Sequence, residues 1–375
     1  MRIFKFLMFL GLFYTNFGAL GQYGLFDQPQ AMVLVKKATD KIYAVEVDSA
    51  NYYIWKLEEI LPNHPIVPIM QAFLIQWQNM PIFEGATFAR LEAKLLATIE
   101  ATSKLNAFDS YDIEAVYFEL IARGLLAEYY AEDRRYLDAF TEGNKMYGLI
   151  KKGFDLVDKQ PEFLFTAGLY NYFRVAYPEK HPVVLPFALF FKKGDKVLGL
   201  EQIKKATEVG VLSKIEAKMY LAYVYLRYEQ TPMEAYVILE GLVHKYPSNR
   251  YFVAKFLEAS YATKQYQNIA PWMLDFLIAS PREYDKMVGN IFMAIHLEFI
   301  DKNIEQAYDY YGIGIEFGKQ LSNHGEYFKS IGYLGLARLS AQFGNVNTSR
   351  SYYNLCLEFA ETADVTTAAA LGLTK

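Results

Sequence analysis

Apolar residues recur along this chain at three- and four-residue spacing, in segments of helical length separated by short polar breaks that hold Pro, Gly or Asn. The stretch Glu216–Asn249, EAKMYLAYVYLRYEQTPMEAYVILEGLVHKYPSN, shows the pattern most clearly. Its apolar stripe is interrupted at Glu229-Gln230-Thr231-Pro232, which predicts two helices joined by a tight turn. Ala222 and Ala235 are small, so two helices can cross closely there, while Met219, Tyr223, Leu226 and Leu239 fill the groove between them. Pro247 cannot continue the second helix and starts the turn into the next segment.

The same unit recurs in both directions. Downstream it is carried by Leu257, Tyr261, Ala270, Leu274 and Pro281, with Ala235 and Ala270 35 residues apart. The next unit centres on Ala307 and Tyr311, and the last on Tyr333-x2-Leu336-Ala337, Gly344 in a turn, Ser349-x3-Tyr353 and Cys356. Ser349 lies 42 residues beyond Ala307, so the linker near Leu321–Glu326 carries an insertion. Upstream, Leu126-Ala127-x2-Tyr130 with Ala139 makes one unit, and Phe73-Leu74-x2-Trp77 with Ala86 another. Ala50-x3-Ile54-x2-Leu57 with Pro62 fits the second helix of a unit that begins near Ala31. Residues Thr102–Ser110 read as a longer connection. Helix content far above the ~30–35% of ordinary globular proteins is expected from about Pro29 to Ala370, with no strand-containing domain.

These offsets are those of a 34-residue repeat, and the chain resembles the tetratricopeptide superfamily at these residues. The resemblance implies an all-α, right-handed solenoid of helix-turn-helix repeats, about eight pairs in one array over residues 22–375. One unit is split. Phe165-Thr166-Ala167-Gly168-x2-Asn171-Tyr172 reads as a first helix, and Asp195 caps a second that carries Gly199, Ile203 and Ala206. The insert between them, residues 174–194, includes Pro178, Pro182 and Pro186 and the apolar run Val183–Phe191, which is too short to cross a bilayer. That run reads as a segment tucked against the solenoid or as a lid over its concave face. The Gly-x2-Asn-Tyr helix followed by Gly-Asp-x3-Gly-Leu resembles a subset of exported and organelle-associated members of the superfamily.

The first 21 residues are of another kind. Arg2 and Lys5 precede the apolar run Phe6–Phe13, and Ala19-Leu20-Gly21 places small residues before Gln22, as in a cleaved secretory signal peptide. With no Cys near that site, a lipoprotein anchor is excluded, and a periplasmic or secreted protein is expected, with no transmembrane span in the mature chain. Removing residues 1–21 takes away two cations and no carboxylate, which moves the formal charge from −4 to −6. A mildly acidic chain lacking a basic stripe excludes nucleic acid and anionic membrane as natural partners. Cys356 is the only cysteine, so packing alone holds the fold. The 31 Tyr, 28 Phe and 3 Trp are mostly filler between helices, with a surplus that can serve a binding face.

No nucleophile elbow, phosphate loop or zinc-binding helix occurs, and His64, His181, His244, His296 and His324 have no metal-ligand spacing. No catalytic residue, cofactor or metal is therefore assigned, and an enzyme is not expected. Gly312-x-Gly314-x3-Gly318 sits inside a helical pattern and reads as close helix packing. Glu132-Asp133-Arg134-Arg135 reads as a solvated ion cluster in a turn, and Cys356 as a buried thiol in a small-residue position.

In the superfamily the first helix of each pair lines the concave surface. Carried over, its inward positions imply partner-binding roles for Phe165, Tyr172, Tyr220, Arg227, Lys255, Phe292, His296 and Arg338, with Glu128 and Leu169 beside them. This aromatic and basic lining suits an extended peptide or a helix, and Tyr220 between Arg227 and Lys255 suits an acidic or C-terminal one. Lys255 is followed by Ala259 where chaperone-binding members have Asn, so their carboxylate clamp is absent. The leading expectation is a non-enzymatic scaffold or adaptor for a protein of the cell envelope; the alternative is capture of a glycan or small ligand on groove rings.

Overall fold

Seventeen helices and no strand make up the residues that the computed structural model describes, 24–106, 112–185, 191–321 and 324–374. They are α1 (Pro29–Tyr43), α2 (Val47–Ile60), α3 (Ile66–Asn79), α4 (Gly85–Asn106), α5 (Ile113–Glu132), α6 (Tyr136–Leu156) and α7 (Phe163–Lys180). Then follow α8 (Lys196–Val209), α9 (Lys214–Arg227), α10 (Pro232–Lys245), α11 (Arg250–Ala262) and α12 (Pro271–Ile278). The last five are α13 (Glu283–His296), α14 (Ile304–Lys319), α15 (Glu326–Gln342), α16 (Val346–Phe359) and α17 (Ala363–Leu373). Each helix packs on its neighbours in sequence, which makes an α-solenoid of eight pairs, α1–α2 through α15–α16, closed by α17.

Local chemistry sets the boundaries. Asp112, Asp195, Asn249 and Asn303 each accept a backbone N–H of the first turn they precede, and Pro opens α1, α10 and α12. The turns inside pairs repeat one geometry: a left-handed residue follows the first helix at Val45, Arg134, Gln230, Lys264, Lys302 and Gly344. Four of these turns close with an N–H donated five residues back, from Glu46, Arg135, Gln265 and Asn345. Only the last uses glycine, so the turn is enforced by the packing of the two helices rather than by residue preference.

At the helix crossings Ala222, Ala235, Ala307 and Ala337 are fully buried. Gly199 lets two main chains meet: a Cβ there would lie 2.4 Å from the backbone nitrogen of Tyr172, so α7 and α8 touch backbone to backbone. Gly314 packs on Ile291 and Gly318 on Met287 and Lys329, whereas Gly312 has open space. Cys356 is buried, and burial pushes its thiol up to about 12.

Three expectations need correction. α4 continues to Asn106 where a connection was expected, because Thr98 and Thr102 face inward and donate their hydroxyls to carbonyls of their own helix. In the same helix Ala86 is exposed, and Thr87, Leu91 and Leu95 supply the buried stripe. α7 runs to Lys180 with Pro178 in its last turn, so the helix takes in the first part of the insert. Part of Val183–Phe191 lies outside the described residues; at its end, Phe191 packs edge-on against Tyr147 at 4.9 Å and the Lys192 N–H donates to the Tyr147 hydroxyl.

The superhelix closes on itself. The end of α1 meets α10 and α11: Asp40 pairs with Lys245 at 2.7 Å, and Asn249 donates to the Tyr43 carbonyl at 2.9 Å. Arg282, just before α13, donates to the carbonyls of Asn79, Met80 and Pro81 in the α3–α4 turn. Phe83 adds ring contacts to Tyr284 and His324. The first two pairs are thereby tied to the fifth, sixth and seventh, and the concave face becomes the wall of a partly open channel.

Candidate functional site

The channel has a volume of about 720 Å³ and is lined mainly by residues of α3, α5, α7, α9 and α11, the first helices of five consecutive pairs, with Met146 and Ile150 of α6 and Leu239 of α10. Helical spacing explains which side chains enter. On α7, Phe165, Leu169 and Phe173 project inward at four-residue steps, and on α9 Glu216, Met219, Tyr220 and Tyr223 do so over two turns. The wall is mostly apolar and aromatic; Phe165 meets Tyr220 edge-on at 5.5 Å.

The ionisable groups that line this wall are Glu128, Glu132, Glu216, Glu258 and Lys255, apart from its tyrosines. Glu258 is neutralised twice over. Arg227 Nη2 lies 2.5 Å from one oxygen and Lys255 Nζ 2.9 Å from the other. Burial works against the Glu258 charge, but the two cations outweigh it and hold the carboxylate below its ordinary range. Arg227 also lies over the Tyr327 ring at 4.6 Å.

The other three carboxylates have no cation partner among the described residues. Glu216 Oε1 accepts from Trp77 Nε1 at 2.8 Å and from the Tyr43 hydroxyl at 3.1 Å, and Glu128 accepts from the Tyr220 hydroxyl at 3.1 Å. Desolvation dominates Glu216 and, with Glu128 nearby, lifts it to about 7 despite those two donors. Glu128 is raised by desolvation against the Tyr220 bond. It is enclosed by the channel yet little covered by direct contact, because its carboxylate faces the void, where water moderates the penalty. Glu132 is lifted to about 7 by desolvation and Glu128, but it stands exposed and solvent screens it more.

A raised carboxylate reverses the usual pH dependence. The folded state then holds its proton more tightly than the unfolded chain, whose ordinary value is 4.5, so the cost of ionising Glu216 develops as pH rises from there to about 7. Glu216→Gln keeps an oxygen for Trp77 and Tyr43. It is expected to raise stability by about 1–2 kcal/mol at alkaline pH and by nothing below the unfolded value. Urea melts at both pH values check this; equal effects at both would contradict it.

The residues expected to bind a partner divide into two groups. Phe165, Tyr220 and Lys255 line the channel, with Glu128 and Leu169. Tyr172 and Phe292 do not: both are fully buried, Tyr172 against Phe173 and Tyr228, and Phe292 against Phe328. The neighbour Phe173 takes the inward place of Tyr172 because two successive steps of four carry the stripe one residue further. Arg338 is held by Glu298 through two contacts of 2.6 Å, and His296 at the end of α13 lies 3.6 Å from Asp301. Arg227 is buried in its ion pairs, so it does not offer a free cation. The basic lining expected from the sequence is thus internally neutralised, and the unpartnered charge in the channel is acidic.

Sequence reasoning missed Trp77, Gln76, Glu216 and Tyr251 as lining residues. It also placed Glu132 in the turn cluster, whereas Glu132 ends α5 and faces the channel; Arg135 pairs instead with Asp138 and Glu92. The available signal for Glu216 was a carboxylate one helical turn before Tyr220, on the same face. No helix of the described residues is long and apolar enough to cross a membrane.

No family model matches the chain, and no curated protein matches it. Among solved structures it is similar to the crystal structure of yeast Tom70, at 14% identity and a TM-score of 0.30, over 89% of this chain and 87% of that one. A superposition that loose carries no argument about function, and the solenoid is established by the chain's own helices.

Proposed function

We propose that this chain is a non-enzymatic interaction scaffold whose superhelical channel receives an extended segment of a partner protein. The observation that carries this reading is the channel itself, a ring-lined cavity walled mainly by the first helices of five consecutive pairs, which the closing contacts hold in place. A rigid wall of that kind favours binding because little ordering entropy remains to be lost. A single extended chain fits such a space, whereas a folded domain does not. The test uses a photoreactive benzoylphenylalanine at Phe165, inside the channel, or at Trp55, which is 49% exposed on the outer surface. Crosslinks to a partner from position 165 and none from 55 are expected; the reverse would move binding to the outer face.

The cavity volume favours a second reading, capture of a small ligand, since such sites span about 300–1,000 Å³. We also propose export to the cell envelope, on Arg2, Lys5, the apolar run Phe6–Phe13 and Ala19-Leu20-Gly21, which lie outside the described residues. Protein from its native cell is then expected to begin at Gln22, and a Met1 terminus would contradict export by cleavage.

A further inference from the structure

We infer that the segment received by the channel is basic: a lysine or arginine side chain seats between Glu128 and Glu216, beside Gln76. This deepens the scaffold reading and rests on it. Three independent features of the wall ask for the same group. The first is charge: Glu128, Glu132 and Glu216 face one cavity, and each lacks an ion-pair partner among the described residues. Glu128 acts on both of the others through space, so the three form one field. The second is an unsatisfied acceptor. Gln76 lines the same cavity, is 4% exposed, and its Oε1 accepts no hydrogen bond. A buried acceptor without a donor is costly, and an N–H-rich cation relieves it. The third is the ring wall: Trp77, Phe165 and Tyr220 line the same cavity, and aromatic rings attract a cation that has lost part of its water.

An acidic segment would meet the opposite conditions. Its carboxylates would approach three like charges, and the cations of the wall, Lys255 and the neighbouring Arg227, are already committed to Glu258. The groups that titrate around the seat are Glu128, Glu132, Tyr117 and Tyr129 from α5, Tyr170 from α7, Glu216, Tyr220 and Tyr223 from α9, Tyr43 from α1, and Tyr251, Lys255 and Glu258 from α11. Of these the carboxylates without cations lose their protons as pH rises toward neutrality, so affinity for a cation rises over the same interval.

The test is calorimetric titration of the full chain with three acetylated, amidated peptides of alternating sequence: Lys-Ala, Gln-Ala and Glu-Ala. The Lys-Ala peptide is expected to bind at least about tenfold more tightly than the other two, and more tightly at pH ~8 than at pH ~5.5. Glu128→Gln and Glu216→Gln should each weaken it by at least about tenfold, while Glu58→Gln with Glu305→Gln on the outer surface changes it less than about twofold. Melting temperatures no lower than that of the wild type in any variant exclude misfolding as the cause. Equal loss in the outer-surface variant would reduce the effect to general surface charge and overturn the inference. So would unchanged affinity in the channel variants, or tighter binding of the Glu-Ala peptide. Spermidine binding as tightly as the Lys-Ala peptide would make the occupant a small polyammonium ligand and overturn the peptide assignment. If crosslinks form from Phe165 while the Gln-Ala or Glu-Ala peptide binds best, the scaffold reading stands and the basic-segment inference falls.

Discussion

Glu162→Ala is expected to lower folding stability by about 3–5 kcal/mol, the largest single effect in this chain. Glu162 precedes α7, is 3% exposed, and is the hub of the linker between α8 and α9. Its carboxylate accepts the backbone N–H groups of Val211 at 2.6 Å, Leu212 at 3.1 Å and Ser213 at 3.0 Å, and the Ser213 hydroxyl at 2.6 Å. The Tyr117 hydroxyl reaches it at 3.4 Å. Alanine removes the acceptor and leaves these donors in a site with little access to water, and each such donor costs about 1–3 kcal/mol. Glu162→Gln retains one oxygen acceptor and should fall between. Urea melts measure the order wild type, Gln, Ala. A midpoint unchanged in the alanine variant would mean that water replaces the carboxylate and that the linker is held by other contacts.

The second large effect is expected at the closure. Arg282→Met should cost about 3 kcal/mol and, unlike Glu162→Ala, expand the folded molecule. The guanidinium donates to three consecutive carbonyls, of Asn79, Met80 and Pro81, across two hundred residues of chain. Methionine keeps the aliphatic stem near Phe83, so the loss isolates the polar clasp. Because Arg282 is partly exposed, its bonds contribute less than buried charge-assisted ones. Small-angle scattering of the native-like variant should show a larger radius of gyration, and urea melts a lower midpoint. Lower stability with unchanged dimensions would mean that the remaining contacts, among them Asp40 with Lys245 and Asn249 with Tyr43, hold the ring without Arg282.

The repeat was legible because helix crossings impose a local demand. Ala222, Ala235, Ala307 and Ala337 must be small for two helices to approach, and that demand recurs with every pair. The unit Glu216–Asn249 follows from it, and so, to within a few residues, do the ends of the array, expected at Pro29 and Ala370 and found at Pro29 and Leu373. The channel was less legible, because nothing local marks its closure. Asp40 and Lys245 are ordinary exposed ions in the sequence, and Arg282 precedes a helix like many another cation. Their pairing depends on the angle accumulated over several repeats, a property of the whole solenoid.

The lining carries fewer free cations than its sequence implies for a related reason. Arg227 and Lys255 looked free because Glu258, one turn beyond Lys255, was not recognised as the group both would serve. Glu216 looked like a first-turn acid that favours a helix N-terminus, a role it also fills. Only the approach of Tyr43 and Trp77 from the other end of the chain shows that it is enclosed. Phe292 and Tyr172 were placed inward by repeat position, but large rings at the margin of a stripe are drawn into the helix interface, where they bury more surface.

The proposed channel exists only if the superhelix is closed in solution, and one intramolecular crosslink tests that most directly. Cysteines placed at Asp40 and Lys245 stand at positions whose charged atoms are 2.7 Å apart, yet they are separated by most of the array. The native Cys356 does not interfere, since it is buried and its thiol is held protonated well above neutral pH. A short dibromobimane bridge should form between the two cysteines in the native monomer, giving a fluorescent, faster-migrating species, and should fail in urea. Absence of the bridge in the folded monomer, with both thiols freely alkylated, would contradict a closed channel and return the concave face to an open groove.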